Sequence, residues 1–459
     1  MDPTPLLAVL AVLAAGFPLA FAIVRAPFLA LVLAPLTAAL SGTVAVVLML
    51  VVGGPLSLWT AVVLVAGAGW AGWLVRRPGH RAPYGGLSHA LLIVLPLLPP
   101  FLLIAQPPSQ WDAHSIWWLH AGYFAHDGEY ARAAIASPAL VFSHTDYPPL
   151  ASAPVAAVWS VVEPDFRTAQ FVAALVTFSA IATLVYLVRR TLAAAPALVA
   201  WALAIAVGLA CWATASYGVA GGLVDALWSA TFAGAVVALL LGADPLRRPL
   251  LPLLLLTVAA LTKNEGLVAA VGVAALVTVR ARADLRRAAL AWVPVLAGGA
   301  WAALVRLVGA RSDITSGEGG RPPLVEVSAL ERFQLTIAAL WGVAGPVLAG
   351  AAVATVLGVL FLRERRRMAG LASDGWLWAA GGFYLAVLVW TYVSGPNDIE
   401  WWLRTSVDRV ALPVVLLAAV SCAGWVAVAC GAGRAPTPHG LSEEPREPVT
   451  SGATPMTTR

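Results

Sequence analysis

Charge is scarce in this chain of 459 residues. Only 11% of them are charged, against roughly a quarter in soluble globular proteins, and that shortage excludes an ordinary water-facing surface. Lysine is scarcer still: Lys263 is the only one, and every other basic side chain is Arg or His. The three cysteines, Cys211, Cys422 and Cys430, lie in or at the ends of apolar segments. Thiols there pack as small apolar groups, so they imply neither a disulfide framework nor a zinc site. A net charge of +5 is too modest to suggest nucleic acid as a partner. The start, Met1 to Pro5, carries no basic n-region, so the first apolar run reads as a retained helix rather than a cleaved signal.

What the chain has in abundance is apolar sequence: 60% of residues are hydrophobic and the mean hydropathy is +0.85. The arginines punctuate it at Arg25, at Arg76, Arg77 and Arg81, at Arg189 and Arg190, at Arg247 and Arg248, from Arg280 to Arg287, and from Arg363 to Arg367. Arginine clusters between apolar runs mark cytoplasmic loops. Apolar runs fall near 6–24, 28–52, 56–75, 87–105, 168–188, 192–213, 217–241, 249–262, 265–279, 288–308, 334–361, 375–393 and 406–430. At about 20 residues per crossing this predicts about thirteen helices. The expected fold is therefore all-α, a polytopic transmembrane helical bundle.

An odd number of crossings puts the N-terminus outside and the C-terminus inside. Segments 106–167, 309–333 and 394–405 then lie outside. The first is too long, and too rich in Trp, Tyr and His, to be a connector; it is expected to carry interfacial helices and the function. Runs 249–262 and 265–279 are each short for a crossing and predict a hairpin whose tip, 263–266, faces the outer leaflet. Polar backbone at that depth is tolerated where it lines a cavity or is buried in protein. Three regions follow: N-terminal helices over 1–85, a membrane domain over 86–430 containing the outer loop 106–167, and a cytoplasmic tail over 431–459 whose Pro, Ser, Thr and Glu content predicts disorder.

Four groups of residues could carry chemistry. Asp112 opens the outer loop at the membrane surface, where an ionised carboxylate can accept a proton from an attacking alcohol. The competing reading makes Asp112 the N-cap of an interfacial helix with Ile116, Leu119 and Tyr123 as its apolar stripe. Lys263 sits in the hairpin tip, where a charge is costly and by default marks either a functional site or a paired charge; Glu265 is the candidate partner. His144, Asp146 and Tyr147 precede Pro148 and Pro149, which stop a helix and fix an extended turn. With Asp112 and His114, His144 and Asp146 offer oxygen and nitrogen ligands suited to a divalent metal; hydrogen-bonded loop architecture is the other role for them. Arg404 and Arg409 could bind phosphate in bidentate fashion, with Asp408 orienting one of them. The alternative is an interfacial belt of Trp401 and Trp402 with snorkelling arginines.

One carboxylate plus cations fits a reaction that expels phosphate. Glycoside hydrolases generally use two carboxyl groups, one to protonate a poor leaving group. A phosphate leaves as a stable anion and needs positive charge instead.

The pieces Trp111 to Trp117, His144 to Pro148, Leu261 to Gly266 and Arg404 to Arg409 together resemble motifs of bacterial integral-membrane glycosyltransferases of the GT-C superfamily. The likeness is to the set related to protein O-mannosyltransferases and lipopolysaccharide-core sugar transferases. The four pieces stand in the family's order and span most of the chain from the fourth run onward. His120 stands where the family often has lysine, and Thr145 where proline is usual. The resemblance implies an inverting transferase of the cell envelope in the plasma membrane. Its site would be extracytoplasmic, with Asp112 as general base and Lys263, Arg404 and Arg409 on the donor phosphate. The donor would be a polyprenyl-phosphate sugar; the acceptor a hydroxyl of a glycan, a lipid-linked molecule or a protein. Membrane lipids are the other expected partner, and a divalent metal the one candidate cofactor. Two further classes fit the composition, a transporter or flippase of lipid-linked sugars and a non-catalytic assembly subunit. A carrier should gather polar groups at mid-membrane and show internal repeats; here no repeat is evident and the polar groups gather outside.

Overall fold

Apolar sequence that faces lipid must satisfy its backbone internally, and helices are the local way to do so. In the computed structural model, every regular element among the described residues is accordingly helical. These residues are 2–77, 90–212, 218, 220–242, 249–312, 321–323 and 326–431, without the side chains of Arg287 and Arg365. Arg81, Arg247, Arg248, residues 313–320 of segment 309–333 and the tail from 432 to 459 lie outside them.

Helices α1 (Thr4–Val24) and α2 (Pro27–Val52) pack tightly. The Thr37 hydroxyl donates to the Gly16 carbonyl at 2.8 Å, and a methyl group at Gly16 would overlap the Ala34 carbonyl. Then come α3 (Leu56–Arg76) and, after a 3-10 turn at Ala90–Leu97, α4 (Leu98–Leu103). Segment 106–167 forms α5 (Trp118–Phe124), α6 (Gly128–Ala136) and α7 (Ala153–Trp159). Next are α8 (Phe166–Thr191), α9 (Ala197–Ala210), α10 (Asp225–Val236), α11 (Leu250–Thr262) and α12 (Asn264–Arg280). The chain continues through α13 (Leu285–Leu290), α14 (Val293–Val308), α15 (Ala329–Phe361), α16 (Glu364–Ser394), α17 (Ile399–Val410) and α18 (Leu412–Cys430).

Eight helical segments among the described residues are long and apolar enough to cross a membrane, fewer than the expected thirteen or so. The apolar runs do fold as helices, but Ala90–Leu103, Ala197–Ala210, Asp225–Leu241 and Leu250–Thr262 are shorter. Enclosure accounts for part of this: α10 is buried along its whole length, so other helices rather than lipid set its extent. The architecture is that of a multi-pass membrane protein.

The first three helices hold the segment that follows them. Gly53 and Gly54, at φ of 91° and 83°, turn the chain sharply after α2. There the Gly128 amide donates to the Gly54 carbonyl at 3.2 Å, and Arg132 donates to the Leu50 carbonyl at 2.7 Å. Gly128 has no room for a side chain against the Met49 carbonyl. Arg25, at the far end of the α1–α2 pair, instead donates to the Leu74 carbonyl beside Arg76. Arg189 and Arg190 likewise close α8 at the end away from Phe166. These arginines therefore gather at the end of the bundle opposite segment 106–167.

Candidate functional site

Asp112 stands in helical backbone just before a wide π-helical turn, Ala113–Trp117, that leads into α5. Such turns recur at functional sites. This one buries Ala113, Ile116 and Trp117. The Asp112 side chain makes no capping hydrogen bond, which removes the N-cap reading. It forms an ion pair with Arg409 of α17 instead.

A guanidinium clasp sets where α17 begins. Arg332 of α15 is buried and donates to the carbonyls of Tyr392 (2.7 and 3.1 Å), Gly395 (2.9 Å) and Asn397 (3.2 Å). The cation thus occupies the carbonyl end of α16, where helix dipoles favour positive charge, and fixes the turn into α17. Asp398 then caps α17 by accepting from the Trp401 amide at 2.9 Å. Asp408 was expected to orient an arginine guanidinium. It accepts instead from the Arg409 backbone amide at 2.9 Å, because it adjoins that residue on the helix. The Arg409 guanidinium is held by Asp112 and by the Thr405 carbonyl at 3.0 Å.

Lys263 is the single extended residue between α11 and α12, at φ −145° and ψ 157°. The two helices fold closely there, since a methyl at Gly266 would overlap the Ala259 carbonyl. The tip is bonded to segment 106–167. Asn264 donates to Asp146 at 3.0 Å, the Leu150 amide to the Leu261 carbonyl at 3.1 Å, and Trp301 to the Asp146 carbonyl at 3.1 Å. The Lys263 ammonium is buried, 3.2 Å from Glu265 and 3.1 Å from Asp225. Glu265 was the expected partner; Asp225 was not expected. Asp225 begins α10 and also lies 4.0 Å from the Arg409 guanidinium. The charges therefore alternate along one chain: Glu265, Lys263, Asp225, Arg409, Asp112.

These groups line a cavity of about 960 Å³ together with Arg404, Asp408, His144 and Tyr147. Tyr147 stacks on Trp117 at 5.5 Å and on His144 at 4.7 Å, and the Lys263 ammonium lies 5.7 Å from the Tyr147 ring centre. Tyr384, Leu388 and Val268 give the cavity an apolar side. Trp111 and Trp401 also border it. Arg404 is exposed and makes no hydrogen bond or ion pair to a described residue.

Two sequence candidates stand behind the cavity rather than in it. His114 donates to the Pro108 carbonyl at 3.0 Å and meets Trp118 and Phe166 edge-on. Asp146 accepts from Asn264 and positions the hairpin tip. Among the described residues no group of three or more His, Cys, Asp or Glu side chains is placed to hold a metal ion; Asp112, His114, His144 and Asp146 do not converge.

His120 is a buried group the sequence did not single out as functional. Its Nε2 faces the Ser143 carbonyl at 2.8 Å and must donate, since a carbonyl only accepts. Burial pushes its pKa down to about 3, so the ring is neutral. It braces the turn that presents His144.

No protein-family model, curated protein or solved structure matches this chain.

Proposed function

We propose that this protein is a membrane-embedded glycosyltransferase that moves a sugar from a polyprenyl-phosphate carrier to an acceptor hydroxyl at the cavity. The observation that carries the reading is the meeting of Asp112 with Arg409 and Lys263 across one polar cavity that also has an apolar side. The acceptor oxygen attacks the anomeric carbon as its proton passes to the Asp112 carboxylate. The bond from that carbon to the phosphate oxygen breaks, and its electron pair leaves with the polyprenyl phosphate. Asp112 later returns the proton to water. Charge grows on the leaving phosphate, and the cations that face it stabilise that growth more than they stabilise the ground state. A base at Asp112 opposite the leaving group gives inversion.

The site belongs on the extracytoplasmic side of the plasma membrane, because the arginines gather at the other end of the bundle. The shorter apolar helices complete a bundle of about thirteen crossings in this reading. Tyr384, Leu388 and Val268 would face the first prenyl units of the carrier.

The test is to incubate the purified full-length protein with radiolabelled polyprenyl-phosphate sugars, one sugar at a time, together with membrane extract as acceptor. The reading expects one donor to be consumed with stoichiometric release of polyprenyl phosphate. Movement of intact donor across a vesicle bilayer, with no release of polyprenyl phosphate, would instead favour a carrier.

A further inference from the structure

The cavity presents a difficulty for any anionic ligand. Its lining carries four carboxylates, Asp112, Asp225, Glu265 and Asp408, against three cations, Lys263, Arg404 and Arg409. Lys263 and Arg409 are already paired. A phosphate that takes the Arg409 nitrogen now bonded to Asp112 must displace that carboxylate.

The two carboxylates facing Arg409 are not equivalent. Asp225 is almost sealed, its side chain 3% exposed, and it also holds the Lys263 ammonium at 3.1 Å. Removing it from its cations would strand a buried charge, which is strongly unfavourable. The Asp112 side chain is 24% exposed, lines the cavity, and has Arg409 as its one hydrogen-bond or ion-pair partner among the described residues. Water or an acceptor hydroxyl can replace that partner. We propose that the phosphate of an incoming ligand takes Arg409 from Asp112 while Asp225 keeps its hold on the guanidinium, so that ligand binding frees the Asp112 carboxylate. Asp225 is then a positioning residue: it keeps Lys263 and Arg409 side by side as one phosphate-binding fork whether or not a ligand is present.

This inference rests on the glycosyltransferase reading and gives that reaction an order. While Arg409 holds the Asp112 carboxylate, the oxygen it occupies is not open to an acceptor hydroxyl. Donor phosphate in place removes the cation and leaves a freer base beside the sugar. The two halves of the reaction then reinforce each other. The leaving phosphate passes from a diester with one negative charge to a monoester with more, while Asp112 becomes neutral by accepting the proton. Both changes move Arg409 the same way, from the carboxylate to the phosphate. Release of the product and loss of the proton restore the original pair.

Exchange makes a prediction that a fixed ion pair does not. Asp112→Asn removes the competitor for Arg409 and should tighten the binding of a phosphate ligand, although it removes the base. Asp225→Asn removes the anchor and should weaken it. The probe is farnesyl phosphate, titrated by intrinsic tryptophan fluorescence into the detergent-solubilised full-length protein, with farnesol as the phosphate-free control. The expected result is a Kd for farnesyl phosphate roughly tenfold lower in Asp112→Asn than in wild type, a higher Kd in Asp225→Asn, and no difference among the three for farnesol. Wild-type binding of farnesyl phosphate with equal or weaker binding by Asp112→Asn overturns the exchange and leaves the transferase reading standing. An equal gain for farnesol also overturns it, since the effect would not run through phosphate. Failure of all three proteins to bind farnesyl phosphate overturns the transferase reading and the exchange together. Asp112→Asn decides the matter even if Asp225→Asn does not fold.

Discussion

Asp112 and Arg409 are 297 positions apart in the chain and meet as an ion pair on the wall of one cavity. The pair joins the start of segment 106–167 to helix α17. Arg409→Gln should leave Asp112 unpaired and deprive the leaving phosphate of a cation. Loss of one preorganised charge of this kind typically costs about 10²–10³-fold in turnover. Steady-state transfer rates should fall by that factor, with little change in thermal stability, because Asp112 can turn to water.

Lys263 should behave differently, because its partner Asp225 is buried. Lys263→Met strands Asp225, and breaking a buried pair costs about 3–5 kcal/mol. Its yield and thermal midpoint in detergent should drop well below wild type. Adding Glu265→Gln should not restore them, since Asp225 remains without its ammonium. Adding Asp225→Asn should restore the fold but not donor binding. Full recovery of transfer in Lys263→Met with Asp225→Asn would show that Lys263 only balances charge.

Much of this arrangement was legible in the sequence because membrane proteins spell out their spans. The apolar runs at 6–24, 28–52 and 56–75 end within a few residues of α1, α2 and α3. The lone lysine in the run between 249 and 279 marked the α11–α12 break, since a charge there demands a reason. Asp225 obeys the same rule and was missed, because the hydropathy of run 217–241 averages over a single acid at the start of a buried helix. Its partnership with Lys263, 38 residues on, depends on how α10 packs against α11, which no local pattern encodes. Arg332 was missed for a related reason: its acceptors are all backbone carbonyls, and carbonyls are present at every position. His114 has the other role open to it in the sequence, hydrogen-bonded loop architecture, since a histidine near a carboxylate in sequence need not face the same way.

Sidedness can be checked directly. In a background without Cys211, Cys422 and Cys430, Glu163→Cys and Arg363→Cys place single thiols at exposed positions near opposite ends of the bundle. A membrane-impermeant maleimide should label position 163 in intact cells and position 363 only after permeabilisation. The reverse pattern would put the cavity on the cytoplasmic side.

His120 predicts a pH dependence of stability. Its folded pKa is depressed to about 3 by burial, against an ordinary value of 6.5. Above pH 6.5 the ring is neutral in both folded and unfolded states, and the stability it contributes is fully present. As pH falls from 6.5 towards 3 the unfolded ring takes up a proton that the folded ring refuses. Stability is then lost at about 1.4 kcal/mol per pH unit. The thermal midpoint in detergent should be flat near pH 7–8 and decline below 6.5. His120→Phe, which removes the titrating group and leaves an aromatic ring in its place, should lower the midpoint at pH 7.5 but flatten the decline.

The central claim is that Asp112 is the base of a transfer reaction at this cavity, and Asp112→Asn tests it most directly. The substitution keeps size and hydrogen-bonding capacity and removes basicity. With the donor that wild type consumes, single-turnover transfer should slow by about 10²–10⁴-fold, the usual weight of general base catalysis, while donor still binds and the protein still folds. A single-turnover rate within a few-fold of wild type would contradict the account.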